Sequence, residues 1–342
     1  MSLSKDVSEK IFFIVNNKIR IREITNIYRT ILSFKREIEY PIKKKPYYFP
    51  YLFQIQTVNQ CNGSCLMCPN KKIKSKKPEK MSDELFKKII QEIVKESKTT
   101  LVLLYLQNEP LIDDELFQKI KLIKKLSNDV IATSFITNGV LFNDKKIKEL
   151  IESKNDYVYF SIDAFTEETY NRIRQGVDFK KLQFNIDKIL NTSYKKNVYV
   201  EFVVQRDNIL EYKKFVQYWK KKKVPVLVNY ITNRSGDLDD YNELSLKNVE
   251  ISKVQRLKSL LYKKIIKCCH IPLSCFNILY NGDVILCCND YSHKLVLGNV
   301  KTQSIKEIWN SKKYQEIRRL LYEGSYEKIP VCRNCSTLME KN

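Results

Sequence analysis

A chain of 342 residues, 43% hydrophobic and 29% charged, has room for one large domain and a smaller one, and its composition excludes intrinsic disorder as the main state. No apolar run reaches the ~18–20 residues of a membrane span, and the short patch from Ile11 to Val15 lacks a signal peptide's cleavage site, so a cytoplasmic location is expected. The net charge of +22, from 61 Lys and Arg against 39 Asp and Glu, raises a nucleic-acid partner. Abundant Lys, Ile, Asn and Tyr suit an AT-rich genome equally well. The densest runs, at 43–45 and 220–223, fall at element ends, and nucleic acid is not the expected partner.

Residues 1–50 form a basic helical extension ending in a Pro/Tyr-rich linker from Pro41 to Pro50. From residue 51 to about 245, short β-branched or aromatic runs alternate with helical patterns. The strands are expected at Phe53–Val58, Leu101–Leu106, Val130–Thr137, Tyr157–Ile162, Val198–Gln205 and Val224–Ile231. Leu85, Phe86, Ile89, Ile90, Ile93 and Val94 share one helical face behind Ser82 as N-cap, and Leu116, Phe117, Ile120 and Ile123 repeat the pattern. Six strands alternating with helices predict an α/β fold: a parallel sheet curled into a partial (β/α)6 TIM-like barrel, with chemistry at the C-terminal ends of the strands. A polar loop with Arg234 and Asp237 then leads to a helical stretch near 246–266. The last part, 246–342, is a second, smaller domain: a hairpin from Phe276 to Cys288 turning at Asn281-Gly282, and one helix from Ser304 to Tyr322 stopped by Gly324.

Ten cysteines in a reducing compartment point away from disulfides. Cys61, Cys65 and Cys68 directly follow the first strand. Three thiolates on one short loop can each bind one iron of a cubane cluster, leaving the fourth iron open to another molecule. A zinc site would want a fourth Cys or His nearby, and the two histidines, His270 and His293, lie far along the chain. In the tail, Cys275, Cys287, Cys332 and Cys335 can converge on a second metal centre, for which a zinc ribbon is the competing reading. Cys268, Cys269 and Cys288 remain over, as packing residues, alternative ligands or thiol hydrogen-atom donors. They are the only catalytic candidates offered.

The CxxxCxxC spacing after the first strand of a six-fold β/α alternation resembles the radical S-adenosylmethionine (radical SAM) superfamily, over roughly residues 51–232. Asn108-Glu109-Pro110 stands in the place of that family's GGEP motif, with Gln107-Asn108 replacing the two glycines, and Thr137-Asn138-Gly139 follows the third strand. Ser161 and Asp163 end the fourth strand, where the family contacts ribose, Arg174 sits where relatives hold the methionine carboxylate, and Gln205 ends the fifth strand. Met67 replaces the usual aromatic residue before the third cysteine, so adenine packing would use a thioether. The tail resembles the SPASM or twitch domains that bind auxiliary iron–sulfur clusters. It ends seven residues after Cys335, so one auxiliary cluster is expected.

The resemblance implies a [4Fe–4S] cluster that chelates S-adenosylmethionine, reductive cleavage to a 5′-deoxyadenosyl radical, hydrogen abstraction from a substrate, and a flavodoxin- or ferredoxin-like electron donor. The expected reaction is oxidation (dehydrogenation) or epimerisation of a small polar, sugar- or aminocyclitol-like substrate. The alternatives are a maturase of ribosomally made peptides, a tRNA-modifying enzyme, and an inactive metal-binding protein.

Overall fold

The computed structural model describes residues 48–73, 77–96, 100–246, 269 and 271–336. The N-terminal extension, the helix expected near 246–266, Cys268 and His270 lie outside the described residues.

Six strands run parallel in the order β6-β5-β4-β3-β2-β1: β1 (Leu52–Ile55), β2 (Leu101–Leu103), β3 (Ala132–Thr137), β4 (Tyr157–Ser161), β5 (Val198–Val204) and β6 (Val226–Tyr230). They are shorter than the apolar runs that encode them. At β1 and β2 the chain leaves the ladder several residues early to form the loops that carry the cysteines and the Asn108 segment. Three C-terminal strands extend the same sheet: β7 (Cys275–Ile278) lies parallel to β1, while β8 (Asp283–Ile285) and β9 (Val296–Asn299) are antiparallel. The sheet is open, with β6 and β9 as its edges, as a partial barrel requires. Gly282 makes the β7–β8 turn with φ +89, and a Cβ there would stand 2.8 Å from Asn299 Oδ1.

The outer face of the sheet is apolar because the crossover helices pack on it. These are α1 (Asp83–Glu96), α2 (Leu116–Leu126), α3 (Asp144–Glu152), α4 (Glu167–Ile173), α5 (Phe179–Leu190) and α6 (Tyr212–Lys221). On α1, Leu85, Phe86, Ile89, Ile90 and Ile93 are buried behind Ser82, whose hydroxyl accepts from Leu85 N at 3.3 Å. Phe135 meets Phe117 of α2, Phe160 meets Phe142, and Phe202 meets Phe215 of α6.

The other face is different. Ladder register places Cys275, Leu52 and Leu101 level with one another, and likewise Asn277, Gln54, Leu103 and Ser134. Tyr157, Tyr159 and Ser161 of β4 share this face with Tyr199, Glu201 and Val203 of β5, through the pairs Tyr159–Tyr199 and Ser161–Glu201. It mixes polar and aromatic side chains with Leu52, Leu101, Leu103 and Ile136, and among the described residues no crossover helix covers it.

The single helix expected from Ser304 to Tyr322 is two. α7 (Ile305–Trp309) starts at a Ser304–Glu307 capping box, and α8 (Lys312–Tyr322) starts at Ser311, whose hydroxyl accepts from Tyr314 N. The break lets Arg318 turn back onto Trp309. Its guanidinium lies 3.9 Å from the Trp309 ring and 4.0 Å from that of Tyr314, and Nη1 donates to Trp309 O at 2.7 Å. Among the described residues no helix is long and apolar enough to cross a membrane.

Candidate active site at the C-terminal strand ends

Cys61, Cys65 and Cys68 occupy the loop after β1, and each is partly exposed. The loop is held by the segment following α4: Ser64 N donates to Gln175 O at 2.8 Å and Leu66 N to Ile173 O at 2.9 Å. Gly176 beside this loop takes φ +81, a backbone conformation that residues with a side chain rarely adopt. Burial and then Glu109 push the Cys61 thiol up to about 12, and Cys65 and Cys68 add to this. Burial also raises Cys65, against the nearby Arg174. Three thiols on one loop, with ionisation of Cys61 and Cys65 opposed by burial, are a donor set that bound iron would stabilise as thiolates.

Glu109 follows β2 and is 2% exposed. Its Oε1 accepts from Thr137 Oγ1 at 2.6 Å and Leu111 N at 3.1 Å, and its Oε2 from Asn138 N at 2.8 Å. Burial raises its pKa and these three donors oppose the rise. The side chain is therefore a bracket joining the ends of β2 and β3, capping the turn that begins at Pro110. Asn138 carries the bracket to the cysteine loop, Nδ2 donating to Asn62 Oδ1 at 2.7 Å. Asn108 folds back so that Oδ1 accepts from Leu106 N at 2.8 Å.

Asp163, fully buried at the end of β4, grips Arg174. Its Oδ2 accepts from Arg174 Nε at 2.7 Å and also from Nη2, and its Oδ1 accepts from Val203 N at 2.7 Å. Arg174 Nη1 is left facing Cys65 Sγ at 3.8 Å. Burial disfavours the guanidinium charge, but Asp163 and then Cys65 more than offset it, so Arg174 stays protonated. Met67 is 4% exposed, enclosed by Ile173, Ile231, Leu238 and Leu244.

Several buried polar atoms at these strand ends lack protein partners: both amide atoms of Gln205 after β5, Asn108 Nδ2 after β2 and Thr232 Oγ1 after β6. Orphaned buried donors and acceptors cost stability unless a ligand pairs with them. Their position beside a three-thiol loop fits a polar cofactor such as S-adenosylmethionine held against a cluster.

In the C-terminal part, Cys275, Cys287, Cys332 and Cys335 are all buried. Burial raises Cys332, helped by Cys269 and Cys335; Cys269 also raises Cys275 and Cys287. Cys269 is thus electrostatically coupled to Cys275, Cys287 and Cys332. Cys275, at the start of β7, faces the polar side of the sheet, its Sγ donating to Asn277 Oδ1 at 3.3 Å and lying 3.7 Å from Gln54 Oε1. Cys287 donates to Cys288, which raises Cys287 and lowers Cys288; Arg234 also lowers Cys288. Among the described residues no three His, Cys, Asp or Glu side chains are grouped around a single metal ion.

The two thiol regions adjoin. Cys68 Sγ is 3.7 Å from Tyr291 Oη, and Arg234 donates through Nη1 to Asn289 Oδ1 at 2.9 Å. Asp237 clamps the same loop, accepting from Ser292 N at 3.1 Å and Lys294 Nζ at 2.6 Å. Gln107 takes the left-handed conformation, φ 59, in place of a family glycine. Its Nε2 donates to Cys288 O at 3.1 Å and Asp290 O at 3.0 Å, and its Oε1 lies 3.1 Å from His293 Nε2.

Sequence reading missed Glu201 of β5. It is 7% exposed, accepts from Ser161 Oγ at 3.3 Å, and is pushed up to about 7, chiefly by burial and then by Asp163. An acid within the apolar run from Val198 to Val204 was the available signal. Tyr105, after β2, is likewise raised by burial and then by Glu201 and Cys288.

Comparison with known proteins matches residues 55–218 to the radical SAM superfamily and residues 268–336 to SPASM, an iron–sulfur cluster-binding domain. The chain is 22% identical over 291 residues to the S-adenosyl-L-methionine-dependent 2-deoxy-scyllo-inosamine dehydrogenase of Niallia circulans, covering 84% of this chain and 93% of that protein. Its fold resembles that of BtrN in complex with AdoMet and 2-DOIA, with TM-score 0.60, 19% identity, and coverage of 84% and 93%. It also resembles Streptococcus suis SuiB bound to precursor peptide SuiA, with TM-score 0.62, 15% identity, and coverage of 91% and 75%.

Proposed function

Because the chain belongs to the radical SAM superfamily and carries a C-terminal SPASM domain, we propose that this oxidoreductase dehydrogenates a small polar alcohol of the aminocyclitol or sugar class. The observation that carries the reading is the inner face of the sheet, on which register places the polar residues Gln54, Asn277, Ser134, Tyr159, Tyr199 and Glu201. A small hydroxylated molecule can satisfy such groups, as apolar ligands cannot. The similarity to a 2-deoxy-scyllo-inosamine dehydrogenase along 93% of its length supports the same class.

The radical SAM domain implies a [4Fe–4S] cluster with S-adenosylmethionine, and the SPASM domain auxiliary iron–sulfur clusters. When bound, these groups would supply one-electron chemistry that removes a hydrogen atom from the carbinol carbon and, once the hydroxyl proton has passed to solvent, accepts the electron left behind. Cys61, Cys65 and Cys68 would hold the first cluster. Arg174, fixed by Asp163, offers Nη1 to the cofactor carboxylate, and the Asn108–Pro110 backbone offers its polar groups to the amine. Glu109 and Asn138 act through position, keeping the strand ends and the cysteine loop in register. Gln205 supplies an amide that the fold leaves unused. For a single auxiliary cluster we assign Cys269, Cys287, Cys332 and Cys335. Cys275 keeps a hydrogen bond within the sheet and remains a thiol.

The test is anaerobic turnover of the reconstituted, reduced enzyme with 2-deoxy-scyllo-inosamine. The expected result is one 5′-deoxyadenosine per ketone formed, followed by mass spectrometry. If 5′-deoxyadenosine rises above background only when a peptide is supplied, the peptide-maturase reading replaces this one.

A further inference from the structure

Glu201 is a buried acid to which the preceding assignment gives no role of its own. It stands in the middle of β5, on the polar face, level with Ser161 of β4 and Leu227 of β6. Among the described residues no Lys, Arg or His reaches it within ion-pair distance, and its one hydrogen-bond donor is the Ser161 hydroxyl at 3.3 Å on Oε2. The two cations that act on it are engaged elsewhere: Arg174 with Asp163, and Arg234 through Nη1 with Asn289. Their charges still reach Glu201, which they favour as an anion, while Asp163 opposes ionisation. A buried carboxylate ordinarily keeps a cationic partner, because an unpaired one loses its hydration without recompense. Here the Oε1 side is open to the polar face, where Tyr159 and Tyr199 stack at 4.9 Å on the same side of the strands.

We infer that Glu201 is the residue that selects the substrate, its carboxylate pairing with an ammonium group carried by a small polyol. This rests on the small-polar-substrate reading above and narrows it to amine-bearing members. The pKa of about 7 suits the role, since an incoming cation would draw the proton off and be held in a low-dielectric site. Ser161 orients the carboxylate from one side, and Tyr159 provides a ring wall beside it.

Equilibrium binding to the reconstituted, unreduced holoenzyme with S-adenosylmethionine tests the assignment, using as probes 2-deoxy-scyllo-inosamine and the 2-deoxy-scyllo-inositol that carries a hydroxyl in place of its amine. Wild type is expected to prefer the amine at least tenfold. Glu201→Gln should abolish that preference while S-adenosylmethionine affinity stays unchanged, and Glu201→Asp, which keeps the charge, should retain part of it. Equal affinity of wild type for both probes, or a preference surviving in Glu201→Gln, overturns the assignment and leaves the dehydrogenase reading standing. Failure of wild type to bind either probe overturns both. Loss of S-adenosylmethionine binding in Glu201→Gln makes the residue structural, and the assignment falls.

Discussion

Asp163 and Glu201 are two buried carboxylates whose surroundings send them to different tasks. Asp163 spends both oxygens on Arg174 and Val203 N, so removing it strands a buried guanidinium. Asp163→Ala is expected to destabilise the fold by about 3–5 kcal/mol, the usual cost of breaking a buried pair from one side, as chemical denaturation would measure. Glu201 has no such partner, and its proton is retained to about pH 7. The acid's folded pKa lies above its unfolded value, so between about pH 4.5 and 7 the folded state holds more protons than the unfolded one. Stability therefore falls as pH rises through that window. Glu201→Gln removes the term. Relative to wild type the variant should gain about 3 kcal/mol between pH 4.5 and 7 and then level off. The groups that share this field, Asp163, Arg174, Arg234, Tyr105 and Tyr159, remain in both proteins and cancel in the difference. A flat difference in denaturation midpoints across that range would show that Glu201 titrates normally. Neither role was visible in the chain alone: Asp163 was expected to face the ribose, and Glu201 looked like an interruption in a strand.

At the scale of elements, the alternation of β-branched runs and amphipathic helices was enough to anticipate six parallel strands, because parallel strands buried under helices must be apolar on one face and helix stripes must match them. The cysteine spacing marked the loop after β1 for the same local reason. What the chain did not disclose arises from long-range pairing. Joining of β7 to β1 depends on backbone edges, which carry no sequence signature, and the return of Arg318 onto Trp309 depends on the break between α7 and α8. Gln107 is the sharpest instance. It looked like a loss of the flexible glycine pair, yet it fastens the end of β2 to the loop at 288–293 with two donated hydrogen bonds and a third to His293. Gln107→Gly would relieve a left-handed backbone that costs about 1–2 kcal/mol in a non-glycine residue, while cutting that tie. Amide exchange at 288–294 should quicken without loss of iron from the Cys61–Cys68 loop. Unchanged exchange there would mean that Asp237 and Lys294 hold the loop alone.

For the molecule as a whole, the charge of +22 finds little echo at the site, where among the described residues the cations acting on the thiols are Arg174, held by Asp163, and Arg234, which bonds Asn289 through Nη1. The cysteines organise the structure instead: they bring one end of the parallel sheet and the C-terminal strands to a common region, with Tyr291 touching Cys68. Sequence spacing alone offered Cys275 as the fourth auxiliary ligand, since it opens the hairpin. The fold turns that side chain onto the sheet, toward Asn277 and Gln54, while Cys269 acts electrostatically on Cys275, Cys287 and Cys332 alike. The assignment made above therefore predicts an asymmetric outcome. After anaerobic reconstitution, Cys269→Ala should lose about four of about eight irons per chain, as should Cys332→Ala. Cys275→Ala should keep all of them and the same electron paramagnetic resonance signals on reduction. The reverse pattern, with iron lost from Cys275→Ala and retained in Cys269→Ala, would return Cys275 to the cluster and leave Cys269 as a packing residue. Loss of all the iron in either variant would mean that the two centres assemble together, a coupling to which the Gln107 tie and the Cys68–Tyr291 contact give a physical route.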